Sequence, residues 1–206
     1  MFVTFEGIEG SGKSTQVHAL GALFRDAVIT KEPGSTGLGH GIRELLLASP
    51  KGSVSPTAEV LLYFADRAQH VEEVVRPALR HGRLVISDRY VDSSYAYQGH
   101  GRGLSLDLLH RLAAIATGGL MPELTIFLDV PVAVGLARMR TRGAVDRIEA
   151  EDVAFHERVR NGYLAMIAAE PQRFVTIDGT LDAAEIQARV IATVKARPGT
   201  KAHALR

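Results

Sequence analysis

Two hydrophobic rhythms alternate along this chain. Short apolar runs occupy positions 2–5, 27–30, 84–87, 124–130 and 174–177, and four of the five are almost uniformly apolar. Runs of that length without a polar alternate suit strands covered on both faces. Between them, apolar residues recur at helical spacing over 13–25, 39–48, 56–80, 106–117, 131–140, 152–169 and 182–196. In the first of these segments Val17, Leu20, Leu23 and Phe24 mark one face. Pro131 suits a first helical turn, and Pro77 is expected to kink or end the long helix that contains it. Alternating β and α segments predict an α/β fold: a doubly wound, five-stranded parallel sheet with helices on both faces.

The break after the first strand carries the chemistry. Gly7-Ile8-Glu9-Gly10-Ser11-Gly12-Lys13-Ser14 fits the G-x-x-x-x-G-K-[ST] phosphate loop, with a β-rich run before it and an amphipathic segment after it. Its glycines let backbone N–H groups wrap around an oligophosphate. Lys13 supplies a charge for the β- and γ-phosphates, and the Ser14 hydroxyl is a ligand for Mg²⁺. Helix N-terminal polarity assists from Lys13 onward. The ATP-binding set is therefore Gly7, Glu9, Gly10, Ser11, Gly12, Lys13, Ser14 and Thr15.

Composition narrows the setting. A length of 206 residues suits one domain, 1–206, with a short lid at about 138–150 and a frayed tail at 198–206. Cysteine is absent, which removes disulfides and thiolate metal sites. No apolar run approaches the roughly 20 residues of a membrane span, and the first residues lack a leader's basic-then-apolar layout. These features predict a cytoplasmic protein with no membrane partner. A net charge of +1 gives no reason to expect nucleic acid.

The phosphate-loop classes separate on other residues. The single asparagine, Asn161, is not in an Asn-Lys-x-Asp guanine box, and no Asp-x-x-Gly occurs, so a GTPase is excluded. The third apolar run leads into Asp88-Arg89-Tyr90 rather than the Asp-Glu of water-activating ATPases. Asp88 can serve Mg²⁺ beside Ser14, and Arg89 suits a second anion. Arg138, Arg140, Arg142 and Arg147 add cations within ten positions. A phosphate acceptor is already ionised near neutral pH, so a kinase acting on one needs cations more than a general base. A small-molecule kinase fits best. The alternatives are a kinase for another nucleoside monophosphate and a non-catalytic nucleotide-binding module.

With those residues stated, the chain resembles the bacterial thymidylate kinase (dTMP kinase) family over nearly its whole length. The resemblance runs through Phe5–Thr15, Glu32-Pro33-Gly34, Ile42-Arg43, Leu61–His70, Asp88-Arg89-Tyr90, Ser93-Ser94, Ala96-Tyr97-Gln98-Gly99, Arg102-Gly103-Leu104, Asp146-Arg147-Ile148-Glu149 and Tyr163-Leu164. It implies transfer of the ATP γ-phosphoryl to dTMP with Mg²⁺, giving dTDP and ADP in dTTP synthesis, by a homodimer. By resemblance, Glu9 reaches the sugar 3′-hydroxyl, the Glu32-Pro33-Gly34 turn packs beside the monophosphate, Arg89 binds the acceptor phosphate and Arg67 reads the thymine. Tyr63 stands where the family stacks a phenylalanine on the base, with Phe64 as the alternative. Ser94, Tyr97 and Gln98 line the nucleoside pocket, and Tyr163 touches the nucleotide or closes the pocket from the side. Because the phosphate loop has no arginine, a lid arginine is implied at the transferring phosphoryl group. Arg142 and Arg147 are the candidates beside Lys13 and Arg89. Lys31 and Ser35 depart from the family's arginine and glycine around Glu-Pro-Gly.

Overall fold

A computed structural model describes residues 1–141 and 146–197. The order is β1 (Phe2–Glu6), α1 (Lys13–Gly21), β2 (Val28–Lys31), α2 (Gly37–Leu47), α3 (Pro56–His70), α4 (Arg76–Arg80), β3 (Val85–Asp88) and α5 (Val91–Ser94). It continues with α6 (Leu106–Thr117), β4 (Leu124–Asp129), α7 (Val132–Arg140), α8 (Val153–Ala169), β5 (Phe174–Asp178) and α9 (Ala183–Ala196). The five strands are parallel in the order β2-β3-β1-β4-β5. The expected tail at 198–206 and the centre of the expected lid, including Arg142, lie outside the described residues.

The three central strands, β3, β1 and β4, are mostly apolar and covered on both faces, whereas β2 and β5 at the edges are partly exposed. Val3 and Phe5 of β1 pack with Ile86, Ile126 and Leu128 against Val17 and Leu20 of α1 and Val190 of α9. Phe2 faces the other way, with Val85, onto Val60 and Phe64 of α3 and Leu109 of α6. Each such buried side chain contributes about 1.5–3 kcal/mol. The polar intruders are satisfied: Thr4 and Thr125 pair their hydroxyls at 3.0 Å across β1 and β4. Serine, threonine and aspartate side chains cap several helices, as Ser55 does for α3 and Asp152 for α8.

Three local expectations are corrected. The first helix ends at Gly21 rather than at position 25, because Leu23 and Phe24 donate to the carbonyls of Leu20 and Gly21. Those tighter i→i−3 bonds still direct Phe24 into the core. At Pro77 the expected end does not come: helical structure runs on to Arg80, and the irregularity lies one turn earlier. A π-helical turn, Val71–Val75, precedes α4 and lets Arg76 N–H reach the Val71 carbonyl. The wider turn accommodates a residue with no N–H of its own. Finally, α5 and a π-helical stretch, Tyr95–Gly101, fill a region with no expected helix. Nearly every residue there is buried, so no amphipathic period marks it.

β1 lies at the middle of the sheet between β3 and β4, with Phe5 in register with Asp88 and with Ile126. The phosphate loop and the Asp88-Arg89 corner thus emerge side by side at the carboxyl ends of adjacent strands, where open α/β sheets bind ligands.

Candidate active site

The loop after β1 is held open by close packing on α7. Gly10 has φ +72°, and a Cβ there would meet the Gly135 carbonyl at 2.1 Å. A reciprocal Cβ on Gly135 would meet the Glu9 carbonyl at 2.5 Å, so neither position admits a side chain. Lys13 folds back over the loop, its Nζ donating to the Gly7 and Ile8 carbonyls at 3.1 and 2.9 Å and to Ser11 Oγ at 3.3 Å. Burial, and then repulsion from Arg89, lower its pKa to about 8. An anion placed in the loop relieves both effects. Ser14 Oγ donates to Asp88 Oδ2 at 2.5 Å. A hydroxyl and a carboxylate side by side at the loop's end are hard oxygen donors, the chemistry Mg²⁺ takes when phosphate and water complete its shell. Among the described residues, no group of three or more His, Asp or Glu side chains forms a cage for a metal by itself.

A cavity of about 290 Å³ opens from this loop. Glu9, Gly10, Gly12, Lys13, Ser14 and Thr15 border it on one side, and Pro33, Tyr63, Ser94, Tyr97 and Gln98 on the other, with Asp88 and Arg89 between. Gly7 and Ser11 lie beneath it and act through Lys13.

Arg89 is the hinge between the two halves. Its φ of +73° is a left-handed conformation that costs a non-glycine residue strain. One terminal nitrogen donates to Glu9 Oε1 at 2.9 Å and Tyr97 Oη at 3.0 Å. The other donates to the Gly7 carbonyl and Ser93 Oγ, both at 3.1 Å, and to Tyr163 Oη at 3.4 Å. Tyr97 donates to Glu9 Oε1 at 2.6 Å, which closes a triangle of Arg89, Tyr97 and Glu9. Burial alone would raise the Glu9 carboxyl, but His156, Arg89, Lys13 and Tyr97 outweigh it and hold the pKa at about 2. Glu9 therefore stands in the cavity as an anion.

Several expected contacts lie elsewhere. Arg67 is buried below the cavity, donating to Glu32 at 2.8 Å, Ser94 Oγ at 2.9 Å and the Tyr90 carbonyl at 3.0 Å. It reaches the wall through Ser94. Tyr63 and Phe64 separate cleanly: Tyr63 is on the cavity wall, and Phe64 is in the core beneath the Arg67 guanidinium at 4.8 Å. Tyr163 does not border the cavity. It is fully buried behind Arg89, donating to Glu6 at 2.7 Å and paired with Ser93 at 3.0 Å. Arg147 is also away from the cavity. It is buried between Glu59, at 2.6 Å, and the Leu46 carbonyl, at 2.8 Å. The buried Glu59 carboxylate draws it there, and binds Arg102 and Gln98 as well. Arg138 donates to the Gly179 carbonyl.

Comparison with known proteins decides the family. The family model described as thymidylate kinase matches residues 5–190. The chain belongs to the thymidylate kinase family. It is 50% identical over 201 residues to a thymidylate kinase of Deinococcus radiodurans, covering 96% of this chain and 97% of that one. It is 51% identical over 189 residues to one of Carboxydothermus hydrogenoformans, covering 90% and 92%. A crystal structure of thymidylate kinase from Ehrlichia chaffeensis superposes with a TM-score of 0.75 at 31% identity, over 94% of this chain and 98% of that one.

In this thymidylate kinase family member the cavity also engages residues that sequence reasoning did not assign to the site. Lys31 and Arg43 border it beside Glu32 of the expected Glu-Pro-Gly turn, and Arg43 donates to the Pro33 carbonyl at 2.8 Å. Asp146, Ile148 and Glu149 border it from the lid side. The conjunction of Lys31 and Arg43 with Glu-Pro-Gly was the available signal, two cations flanking a turn beside a phosphate. Glu6 gave no signal, being the polar end of an apolar strand. It accepts from Tyr90 N–H at 2.8 Å, Ser93 at 2.6 Å and Tyr163, directly behind Arg89. Burial, with Asp92 adding repulsion, raises its pKa to about 7.

Proposed function

We propose that this chain transfers the ATP γ-phosphoryl directly to dTMP, with the triphosphate in the loop of Gly10 to Thr15 and the acceptor between Arg89 and Tyr63. The activity is that of a thymidylate kinase, phosphorylating dTMP to dTDP. One observation carries the residue-level reading: Lys13 and Arg89, cations on neighbouring strand ends, flank one cavity that is large enough for the reacting ends of two nucleotides.

Each side chain has a task. Lys13 exchanges the loop carbonyls for β- and γ-phosphate oxygens. Arg89 turns from Gly7 and Ser93 to the acceptor phosphate, and Arg43 supports it from the Pro33 side. Tyr63 stacks on the thymine, Gln98 and Ser94 meet its edge, and Arg67 fixes Ser94. Glu9 accepts the sugar 3′-hydroxyl, and the Tyr97 ring lies under C2′. Ser14 and Asp88 would hold Mg²⁺, which when bound neutralises charge on the β- and γ-oxygens. No general base is required, because the acceptor phosphate has a second pKa of about 6. Arg142 is the lid cation at the transferring group, and Arg147 anchors the lid through Glu59 rather than touching phosphate.

We assign a homodimer and a cytoplasmic setting as well. Leu38 and Leu45 of α2, Leu61 of α3 and Leu108 and Ile115 of α6 are exposed, and α3 packs on both other helices. No helix among the described residues is long and apolar enough to cross a membrane.

A coupled ADP-release assay across dTMP, dUMP, dCMP, dGMP and AMP tests the reading. The expected order has dTMP fastest and dUMP next, about 10–200-fold slower for want of one methyl group. A different preferred base assigns a sister kinase. ATP binding with no turnover on any monophosphate would restore the non-catalytic module.

A further inference from the structure

Glu9 uses its two oxygens unequally. Oε1 takes Tyr97 and Arg89, whereas Oε2 is buried with no hydrogen-bond partner. Nδ1 of His156 lies 3.4 Å from it. His156, on α8, is wholly buried, and neither ring nitrogen has a hydrogen-bond partner. The Phe155 ring stands edge-on to it at 5.4 Å. Two buried polar atoms without other partners thus face each other, about 0.4 Å beyond an ordinary hydrogen-bond length. Leaving a buried N–H unmade is unfavourable, and a carboxylate is a strong acceptor, so the Nδ1–H tautomer is selected. Nothing in the phosphoryl transfer itself uses this imidazole.

We propose that His156 is a positioning residue of the kinase reaction: its Nδ1–H grips the second oxygen of Glu9 and fixes the plane in which that carboxylate meets Arg89, Tyr97 and the acceptor sugar. Without the grip, Glu9 can rotate and take Arg89 bidentately, which would withhold the guanidinium from the acceptor phosphate. The depressed Glu9 pKa, to which His156 contributes, agrees with a hydrogen bond to the ionised form. The proposal rests on the reading of Glu9 as an acceptor-side residue.

The test is steady-state kinetics of the full chain with MgATP and dTMP, using wild type, His156→Phe, Glu9→Ala and the double variant, with His156→Asn as a rescue. The asparagine amide nitrogen sits where Nδ1 does and can donate alike. His156→Phe should lower kcat/KM for dTMP about tenfold, the scale of one hydrogen bond to a charged group, and leave KM for ATP unchanged. His156→Asn should recover most of the loss. In the Glu9→Ala background, His156→Phe should cost less than about twofold, because its target is gone. An equal tenfold loss in both backgrounds, or an asparagine variant as poor as phenylalanine, would overturn the proposal alone. A Glu9→Ala enzyme with undiminished activity would overturn the reading of Glu9 and the proposal with it.

Discussion

Tyr97 performs two functions that substitution can separate. Its hydroxyl joins Glu9 to Arg89, at 2.6 and 3.0 Å, and its ring carries the Arg89 guanidinium at 4.8 Å. Tyr97→Phe removes the hydroxyl and orphans nothing, since Glu9 and Arg89 retain each other at 2.9 Å. The loss belongs at the low end for a charge-assisted bond, about 1.5 kcal/mol, or roughly tenfold in kcat/KM for dTMP. Tyr97→Ala also deletes a ring that is only 5% exposed and packs against Phe155 and Tyr163. That costs about 3–5 kcal/mol of stability and opens space under C2′. The assay is kcat/KM for dTMP and for its ribonucleotide counterpart, with thermal melting as a control. Tyr97→Phe should lower both values alike and preserve their ratio, and Tyr97→Ala should relax the ratio. A phenylalanine variant that loses discrimination as far as alanine would refute the steric account. One with full activity would refute the hydroxyl bridge.

Lys13→Met should cut turnover by at least about a hundredfold with melting unchanged, and near-normal turnover would remove Lys13 from the mechanism. Arg147→Met should act on the fold instead: breaking its buried pair with Glu59 costs about 3 kcal/mol, or about 6–12 °C in Tm. A stable variant with depressed kcat would place Arg147 at the phosphates after all. Glu6 has its pKa raised from 4.5 to about 7, so its contribution to stability is present at low pH and lost as pH rises through about 7. Glu6→Gln should therefore gain in Tm on wild type as pH rises from about 4.5 to about 7 and hold that gain above it. A gain that instead shrinks would show that Glu6 is ionised in the native state throughout.

The legible parts were those encoded by adjacent residues. The phosphate loop and the Asp88 corner depend on local spacing and strand position, and Ser14 and Asp88 do meet. The parallel sheet followed from apolar runs covered on both faces. The fate of an arginine was not legible, because it depends on which buried acid lies nearest in three dimensions. Glu32 captures Arg67 from 35 positions away, and Glu59 captures Arg147 from 88. Tyr163 was foreseen near the nucleotide but is drawn one layer back by Glu6, 157 positions distant. His156 is one residue in an ordinary helical pattern, and only the approach of Glu9 distinguishes it.

The central claim is that two anionic nucleotides react with each other inside the Lys13–Arg89 cavity. Mixing the protein with γ-labelled ATP, Mg²⁺ and dTMP, and following the label by chromatography, tests it most directly. The label should pass stoichiometrically into dTDP, and release of the label only as free phosphate would contradict the account.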